Sequence, residues 1–194
     1  MEPKELLELF KRYDAYLEGH FLLTSGLHSP HYFQCARILQ YPDVAERLGH
    51  ELGRKVKAAL GGKKLDAVIS PALGGLIIGH ELGRTLGARA IFGEREAGAM
   101  RLRRFELKPG EKVAAVEDVV TTGGSLFEVA RLAGEAGAEV LAISCLVDRT
   151  TKMKEELKSL ISLLKVNVVT YDPADCPLCR DGLQLVKPGS RTKA

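Results

Sequence analysis

Short apolar runs alternate with amphipathic segments through the middle of the chain, and this alternation restricts the possible folds most strongly. The apolar runs end at turn signals and are LDAVISP from Leu65, ARAIF from Ala88, KVAAVEDVV from Lys112 and EVLAISCLVD from Glu139. Helical patterns lie between them, at about 44–60, 75–86 and 126–136. Strands alternating with helices predict an α/β fold, with a mainly parallel sheet flanked by helices. In such folds the carboxyl ends of the strands hold the site.

Length, charge and termini narrow the class of protein. A chain of 194 residues suits one well-buried domain, so we expect a single domain over 1–194. The net charge of +3 does not indicate a nucleic-acid partner. The sequence contains no apolar run of about 18 residues, the length needed to span a bilayer. Its charged N-terminal segment is unlike a signal peptide. The cysteines show no evident disulfide framework, so we expect a cytoplasmic protein. From the small net charge and the lack of a long apolar run, we expect that it binds neither nucleic acid nor membranes.

Two segments depart from the alternation. Residues 18–40 are rich in Gly, Ser, His and aromatic residues, and we interpret them as a loop-and-strand cover. Residues 93–111 carry several glycines and arginines and are long for a connection, which is typical of a functional or mobile loop. A repeated GHELGR, from Gly49 and from Gly79, predicts two similar helix segments. It is not a zinc-protease HExxH motif, because Arg54 and Arg84 stand at the second His position.

The most informative segment is VAAVEDVVTTGGSLFEV, residues 113–129. An apolar strand ends in Glu117 and Asp118, and a turn of hydroxyls and glycines then precedes an amphipathic helix. Unpaired backbone N–H groups and the helix dipole make such a turn an anion site. Carboxylates accept hydrogen bonds from sugar hydroxyls and stabilise positive charge at an anomeric carbon. The order of acids and turn therefore favours a sugar phosphate.

Other interpretations of this segment stay open or are excluded. Ser125 and Glu128 also fit a capping box, which would only start the helix. The absence of GxxxxGK[ST] and GxGxxG removes the main support for nucleotide triphosphatase and dinucleotide-binding functions.

The segment resembles the phosphoribosyl-pyrophosphate signature of type I phosphoribosyltransferases. The resemblance implies that family's fold, with a small hood from about 1–40 and part of the C-terminal tail. It implies that the acids contact ribose and that the turn holds the 5′-phosphate. The implied phosphoribosyl-pyrophosphate site comprises Glu117, Asp118, Val119, Val120, Thr121, Thr122, Gly123, Gly124 and Ser125.

Further segments are similar to the orotate phosphoribosyltransferases. FLLTSGLHSPHYF, residues 21–33, resembles their hood, and SPALGG, residues 70–75, resembles their pyrophosphate loop. The implied orotate contacts are Thr121, Arg149, Tyr32 and Phe33, with Arg149 binding the orotate carboxylate. Ordinary strand packing remains open for the two aromatics, and a structural tether from Asp148 remains open for Arg149. KPGSR near the end is similar to one branch of this family.

The family also implies a mobile loop that completes the neighbouring site of a homodimer, here residues 93–111. Arg95 and Arg103 of this loop are the candidates for assisting the leaving pyrophosphate. The alternative is that the arginines of the loop only form a solvated face. Family lysines are replaced by Thr24 and Gly74, and a Lys-x-His pair by Gly98 and Met100. The implied Mg²⁺ would sit on substrate oxygens, without direct protein ligands.

CPLC, residues 176–179, is a single CxxC motif. A structural zinc site needs two further ligands, and neither Cys35 nor Cys145 is an obvious candidate. We interpret the motif as a structural turn, with a redox motif or a metal shared between two copies as alternatives.

The sugar-phosphate motif, together with what the resemblance implies, predicts an enzyme that transfers phosphoribosyl from phosphoribosyl pyrophosphate to orotate in pyrimidine (UMP) biosynthesis. Glu117 and Asp118 would be catalytic, together with Arg95 and Arg103. The alternatives are transfer to another base, purine or uracil, and a non-catalytic regulator that senses phosphoribosyl pyrophosphate.

Overall fold

The computed structural model describes residues 1–23, 25–150 and 155–188. In chain order its helices and strands are α1 (Pro3–Arg12), β1 (Tyr16–Leu22), β2 (His28–Phe33), α2 (Ala36–Leu39), α3 (Pro42–Leu60), β3 (Ala67–Pro71), α4 (Leu76–Leu86), β4 (Arg89–Glu96), β5 (Ala99–Arg101), β6 (Lys112–Val120), α5 (Gly124–Glu135), β7 (Glu139–Asp148), β8 (Ile161–Lys165) and α6 (Pro177–Arg180). Short 3₁₀ helices lie at Glu155–Leu157 and Pro173–Asp175. In these ranges, no helix combines the length and apolar character needed to cross a membrane.

The central sheet has the strand order β5-β4-β3-β6-β7-β8. Its strands pair in parallel, except that β5 runs antiparallel to β4. β3 is buried along its whole length, which is typical of a parallel strand covered by helices on both faces. The predicted α/β fold with a mainly parallel central sheet is confirmed.

Two apolar clusters cover the two faces of this sheet. One contains Leu48 and Leu52 of α3 with Val116 of β6, and the other contains Leu126 and Val129 of α5 with Ala115. Val116 and Ala115 are neighbours in β6 and point to opposite faces, as strand geometry requires. Burial of this apolar surface is the main stabilising contribution to such a fold.

The repeated GHELGR lies in α3 and α4, which confirms the two predicted helix segments. The helices approach closely at the repeat's glycines. A Cβ placed on Gly49 would lie 2.6 Å from Cβ of Glu81, and one on Gly53 would lie 2.4 Å from Cγ2 of Thr85. Glycine at these positions therefore lets the two helices pack together.

β1 and β2 form a separate antiparallel hairpin, which contacts the C-terminal segment 171–188. Leu22 N–H donates to the carbonyl of Val186, whose N–H donates to the carbonyl of His20. His28 and Tyr171 exchange two backbone hydrogen bonds of 2.9 Å. We call the hairpin 16–33 and the segment 171–188 together the cover.

Residues 93–111 are not one uninterrupted loop, because β4 continues to Glu96 and turns back as β5. Ala97 and Gly98 form the turn with φ of 48° and 83°. A two-residue hairpin turn with positive φ at both positions follows the twist of its strands. Met100 is buried and holds β5 against the second apolar cluster.

Candidate active site

A cleft of about 910 Å³ lies at the carboxyl ends of β6 and β7, beside the cover. Its walls come from the hairpin, from residues 117–126, from Arg149 and from the C-terminal segment. This is the edge of a parallel sheet where ligands bind in α/β folds. The structure therefore brings the motif at 117–125 and the end of β7 together in one cavity.

Glu117 and Asp118, the acid pair, lie near the carboxyl end of β6, partly buried in the wall of the cleft. Oδ1 of Asp118 accepts a hydrogen bond of 2.7 Å from Val119 N–H. Burial raises the pKa of Asp118. The loop after β3 lies against this carboxylate, since a Cβ on Gly74 would stand 2.9 Å from Oδ1. The segment SPALGG thus meets the acid pair at one edge of the sheet.

Residues 121–123 link β6 to α5, and the helix begins at Gly124. We call residues 121–125 the glycine turn. Gly123 is the N-cap with φ of 80°, and no side chain in the described part of the chain caps this end of the helix. A Cβ at Gly123 would lie 2.5 Å from Cε2 of Phe127, so this position needs glycine for both space and conformation. Thr121, Thr122 and Gly124 are exposed to the cleft. The turn therefore presents a helix N-terminus to a ligand in the cleft.

The capping-box interpretation is wrong. Ser125 lies within the first turn of α5 rather than at its N-cap, and its side chain forms no cap with the residues that the structure describes. Glu128 instead pairs with the guanidinium of Arg95. Both of these residues line the cleft.

Arg149 follows the last residue of β7 and is buried, with 6% of its surface exposed. Its guanidinium lies 5.9 Å from the centre of the Phe33 ring, and Nε has no hydrogen-bond partner among the described residues. Burial lowers the pKa of Arg149. A buried guanidinium facing a cleft is suited to binding a carboxylate.

Asp148 does not bind the side chain of Arg149 in any contact of the described chain. Its Oδ1 accepts from Thr150 N–H at 2.9 Å, and its Oδ2 lies 3.3 Å from Nζ of Lys165. The interpretation of Asp148 as a tether for the arginine therefore receives no support.

Tyr32 and Phe33 both line the cleft, but their environments differ. Tyr32 is partly exposed, and burial raises the pKa of its phenol. Phe33 is 4% exposed and packs edge-on against Phe10, with ring centres 5.8 Å apart. The packing interpretation thus holds for much of Phe33, whereas Tyr32 presents more of its ring to the cleft.

The two candidate arginines of 93–111 lie in different places. Arg95 lines the cleft, where it pairs with Glu128 and donates to the carbonyl of Gly98 at 2.9 Å. Arg103 is not among the residues that line this cleft, and its Nε lies 3.2 Å from Glu96. Only the first of these two side chains therefore reaches the site of its own chain.

Several wall residues were not identified from the sequence. Cys35 lines the cleft, but burial raises its pKa well above the usual value, so the thiol stays protonated. Lys187 contributes a basic side chain from the C-terminal segment. The only sequence feature that could have indicated this lysine is the KPGSR motif, which begins at Lys187 and is similar to one branch of the family. Residues 189–191 of that motif, and Thr24, lie outside the described residues.

The comparisons with known proteins agree with this geometry. The family model described as the phosphoribosyl transferase domain matches residues 36–176. The chain is 50% identical to an orotate phosphoribosyltransferase of Carboxydothermus hydrogenoformans, over 96% of this chain and 97% of that protein. It is 48% identical to one of Thermoanaerobacter sp., over 98% and 99%.

A solved structure shows the same fold. The orotate phosphoribosyltransferase of Aeropyrum pernix superimposes with a TM-score of 0.72 at 26% identity, covering 83% of this chain and 93% of that one. Sequence and fold lead to the same family that the motifs resemble. The chain belongs to the phosphoribosyltransferase family and, within it, to the orotate phosphoribosyltransferases.

Proposed function

We propose that the protein transfers the phosphoribosyl group of phosphoribosyl pyrophosphate to orotate, giving orotidine 5′-phosphate and pyrophosphate in pyrimidine biosynthesis. The observation that carries this proposal is the position of the buried Arg149 guanidinium in the same cleft as the acid pair and the glycine turn. The names of the full-length relatives support the same reaction.

The turn 121–125 binds the 5′-phosphate in this proposal. The N-terminus of α5 supplies backbone N–H groups and the positive end of the helix dipole. Thr121, Thr122 and Ser125 add hydroxyl donors. Charge-assisted hydrogen bonds contribute about 1.5–3 kcal/mol each, so several of them hold a phosphate firmly.

Glu117 and Asp118 act on the ribose. As carboxylates they accept hydrogen bonds from its vicinal hydroxyls and stabilise the positive charge that develops at the anomeric carbon. The negative charge must be present for this role. Since burial raises the pKa of Asp118, its ionisation limits activity on the acid side.

Arg149 selects the base. Its guanidinium forms paired hydrogen bonds with the orotate carboxylate, and this contact satisfies a donor that the described residues leave without a partner. Tyr32 lies along the pyrimidine ring, and the Phe33 ring packs beside the guanidinium at 5.9 Å. Thr121 completes the base site at the start of the turn.

Mg²⁺ is the proposed cofactor. Two adjacent carboxylates in the cleft are too few to form a protein cage for this ion, which keeps waters and phosphate oxygens as ligands. Glu117 and Asp118 fit an ion carried mainly by the substrate, because they can orient the hydroxyls and waters around it. When bound, Mg²⁺ would supply positive charge to the oxygens of the leaving pyrophosphate.

We place this reaction in a cytoplasmic homodimer in which residues 93–111 complete the neighbouring site. Arg103 lies outside the cleft of its own chain, which is consistent with action across an interface. Arg95 reaches the cleft of its own chain and is the candidate for action there. Closure of the segment would exclude water from the activated ribose.

The deciding experiment is the loss of orotate absorbance when phosphoribosyl pyrophosphate and Mg²⁺ are added to the purified protein. Turnover of orotate, with none of uracil, adenine or guanine, is the expected result. Turnover of a different base and not of orotate would refute the assigned substrate. Phosphoribosyl-pyrophosphate binding without turnover of any base would instead favour a regulator.

A further inference from the structure

Two histidines and two cysteines converge within the cover, away from the acid pair and the glycine turn. They are His20 of β1, His28 of β2, and Cys176 and Cys179 of the CPLC motif. One ligand atom from each residue lies within 4.8 Å of all the others. His20, His28 and Cys176 are buried, whereas Cys179 is exposed.

The distances between these atoms approach those of a tetrahedral site. Sγ of Cys179 lies 3.3 Å from Nδ1 of His28 and 3.7 Å from Nε2 of His20. Sγ of Cys176 lies 3.6 Å from Nε2 of His20, and the two ring nitrogens are 2.8 Å apart. Tetrahedral zinc with ordinary Zn–N and Zn–S bonds separates its ligand atoms by about 3.3–3.8 Å. The four distances given above lie within about half an ångström of this range, and the remaining two do not exceed 4.8 Å.

The ring of His20 is already oriented for a metal. Its Nδ1 lies 2.8 Å from the carbonyl oxygen of Leu183, which can only accept a hydrogen bond. Nδ1 therefore carries the proton, and Nε2 presents its lone pair to the other three ligand atoms. A ligand histidine whose second nitrogen donates to a carbonyl is the usual arrangement in metal sites.

The backbone of the cover also suits this arrangement. The pairing of β1 with β2 shifts register between Glu18 and Phe21, the interval that contains His20. Such irregularities redirect side chains. Cys176 stands at the N-cap position of the short helix α6 and Cys179 lies within that helix, so the C-x₂-C spacing keeps the two sulfur atoms within 4.8 Å of each other.

We propose that His20, His28, Cys176 and Cys179 form a structural Zn²⁺ site of the Cys₂His₂ type. All four coordination positions come from the protein, so the ion has a structural rather than a catalytic role. It ties the N-terminal hairpin to the C-terminal segment, and both of these line the cleft. Residues 20 and 176 are 156 positions apart, so the ion closes a very long loop of the chain.

Metal analysis of protein purified without an affinity tag tests the site directly. We expect about one zinc per chain, retained through purification because structural sites bind zinc tightly. Cys179→Ser together with Cys176→Ser should remove it, and His28→Asn should reduce it strongly. Replacement by Co²⁺ should give the visible absorption bands of a tetrahedral thiolate site. Release of zinc by a thiol-modifying reagent should lower the melting temperature.

Matched controls remove the same residue types elsewhere. Cys35→Ala and His50→Ala should keep full zinc, since neither residue belongs to the cluster. Circular dichroism checks that each variant folds, and the thiol-reagent experiment on unmodified protein does not depend on any variant. Protein that contains no zinc and takes none up when Zn²⁺ is added under reducing conditions overturns the proposal. So does a Cys176–Cys179 disulfide in freshly purified protein. None of these readouts requires catalytic activity, so the zinc site and the proposed reaction can fail separately.

Discussion

The backbone N–H of Arg149 donates to the carbonyl of Val120 across 2.8 Å. Val120 ends β6 immediately before the glycine turn, and Arg149 follows β7. This bond fixes the backbone of Arg149 relative to the start of the turn, and burial of the side chain restricts where the guanidinium can lie. The backbone that carries the proposed base site is therefore tied to the backbone that carries the proposed phosphate site through β6 and β7, without a contribution from residues 93–111.

Arg149→Lys should raise the KM for orotate by about 10- to 150-fold, the equivalent of losing one charge-assisted contact of about 1.5–3 kcal/mol. Lysine keeps the charge but cannot form the paired hydrogen bonds of a guanidinium. The KM for phosphoribosyl pyrophosphate should change little. Steady-state kinetics with each substrate varied in turn measure the difference.

Arg131→Lys is the matched control, because Arg131 is exposed on α5 and pairs with Glu135. Its kinetic constants should equal those of the unmodified enzyme. An Arg149→Lys enzyme with an unchanged KM for orotate would remove the proposed role in base selection.

Asp118→Asn should lower kcat by about 10²-fold or more, since a contact to the transition state is lost. The same change should raise the melting temperature at pH 7. Burial raises the pKa of Asp118, so folding is favoured by its protonated form. That stability is present below the unfolded pKa of about 3.9 and is lost as pH rises through the folded pKa.

The stability gain of Asp118→Asn should therefore appear at neutral pH and disappear below about pH 4. Melting curves of both proteins across this pH range measure it. Asp43→Asn serves as a control of opposite sign. Asp43 is exposed in the first turn of α3, where the helix dipole favours a negative charge, so this change should give no stability gain at neutral pH. An equal gain at acidic and neutral pH would contradict the electrostatic explanation.

The sequence predicted the strands that carry the site better than the segments around them. β6 and β7 begin at the predicted residues, Lys112 and Glu139, because each is an apolar run bounded by charges and turns. The β4–β5 hairpin was missed, since Arg95, Glu96 and Arg101 give no apolar alternation. Its stability comes instead from turn geometry and from the buried Met100.

Contacts between distant parts of the chain were the least predictable. The CPLC motif showed two possible ligands, but the histidines lie about 150 positions earlier and have no spacing signal of their own. The pairing of Arg95 with Glu128 likewise depends on β4 reaching the N-terminus of α5. Only the folded sheet and cover bring such residues together.

Gly123→Ala should destabilise the protein and raise the KM for phosphoribosyl pyrophosphate. The added Cβ would strain a backbone with φ of 80° and would meet the ring of Phe127 at 2.5 Å. Left-handed conformations cost a non-glycine residue about 1–2 kcal/mol, and the steric contact adds to this. Thermal melting and phosphoribosyl-pyrophosphate kinetics measure the two effects.

Gly134→Ala is the opposite case in the same helix. Among the described residues, nothing lies within 4 Å of a Cβ at Gly134 in the last turn of α5, and alanine is favoured over glycine in a helix by up to about 1 kcal/mol. This variant should melt at a higher temperature with unchanged kinetics. A Gly123→Ala protein as stable and as active as Gly134→Ala would show that the turn does not need its conformation.

Mixing two inactive variants should restore activity if residues 93–111 act on the neighbouring subunit. Arg103→Ala keeps its own acid pair but lacks the arginine, whereas Asp118→Asn keeps the arginine but lacks the acid. In a two-fold symmetric dimer of one subunit each, the site with the intact acid receives the intact Arg103 from its partner. An equal mixture contains about one half of such dimers, each with one functional site of two, so about a quarter of full activity should return. A sample that contains only one of the two variants, treated in the same way, should stay inactive. If mixed dimers form, as differently tagged subunits would show, and activity still does not return, then Arg103 does not act across the interface.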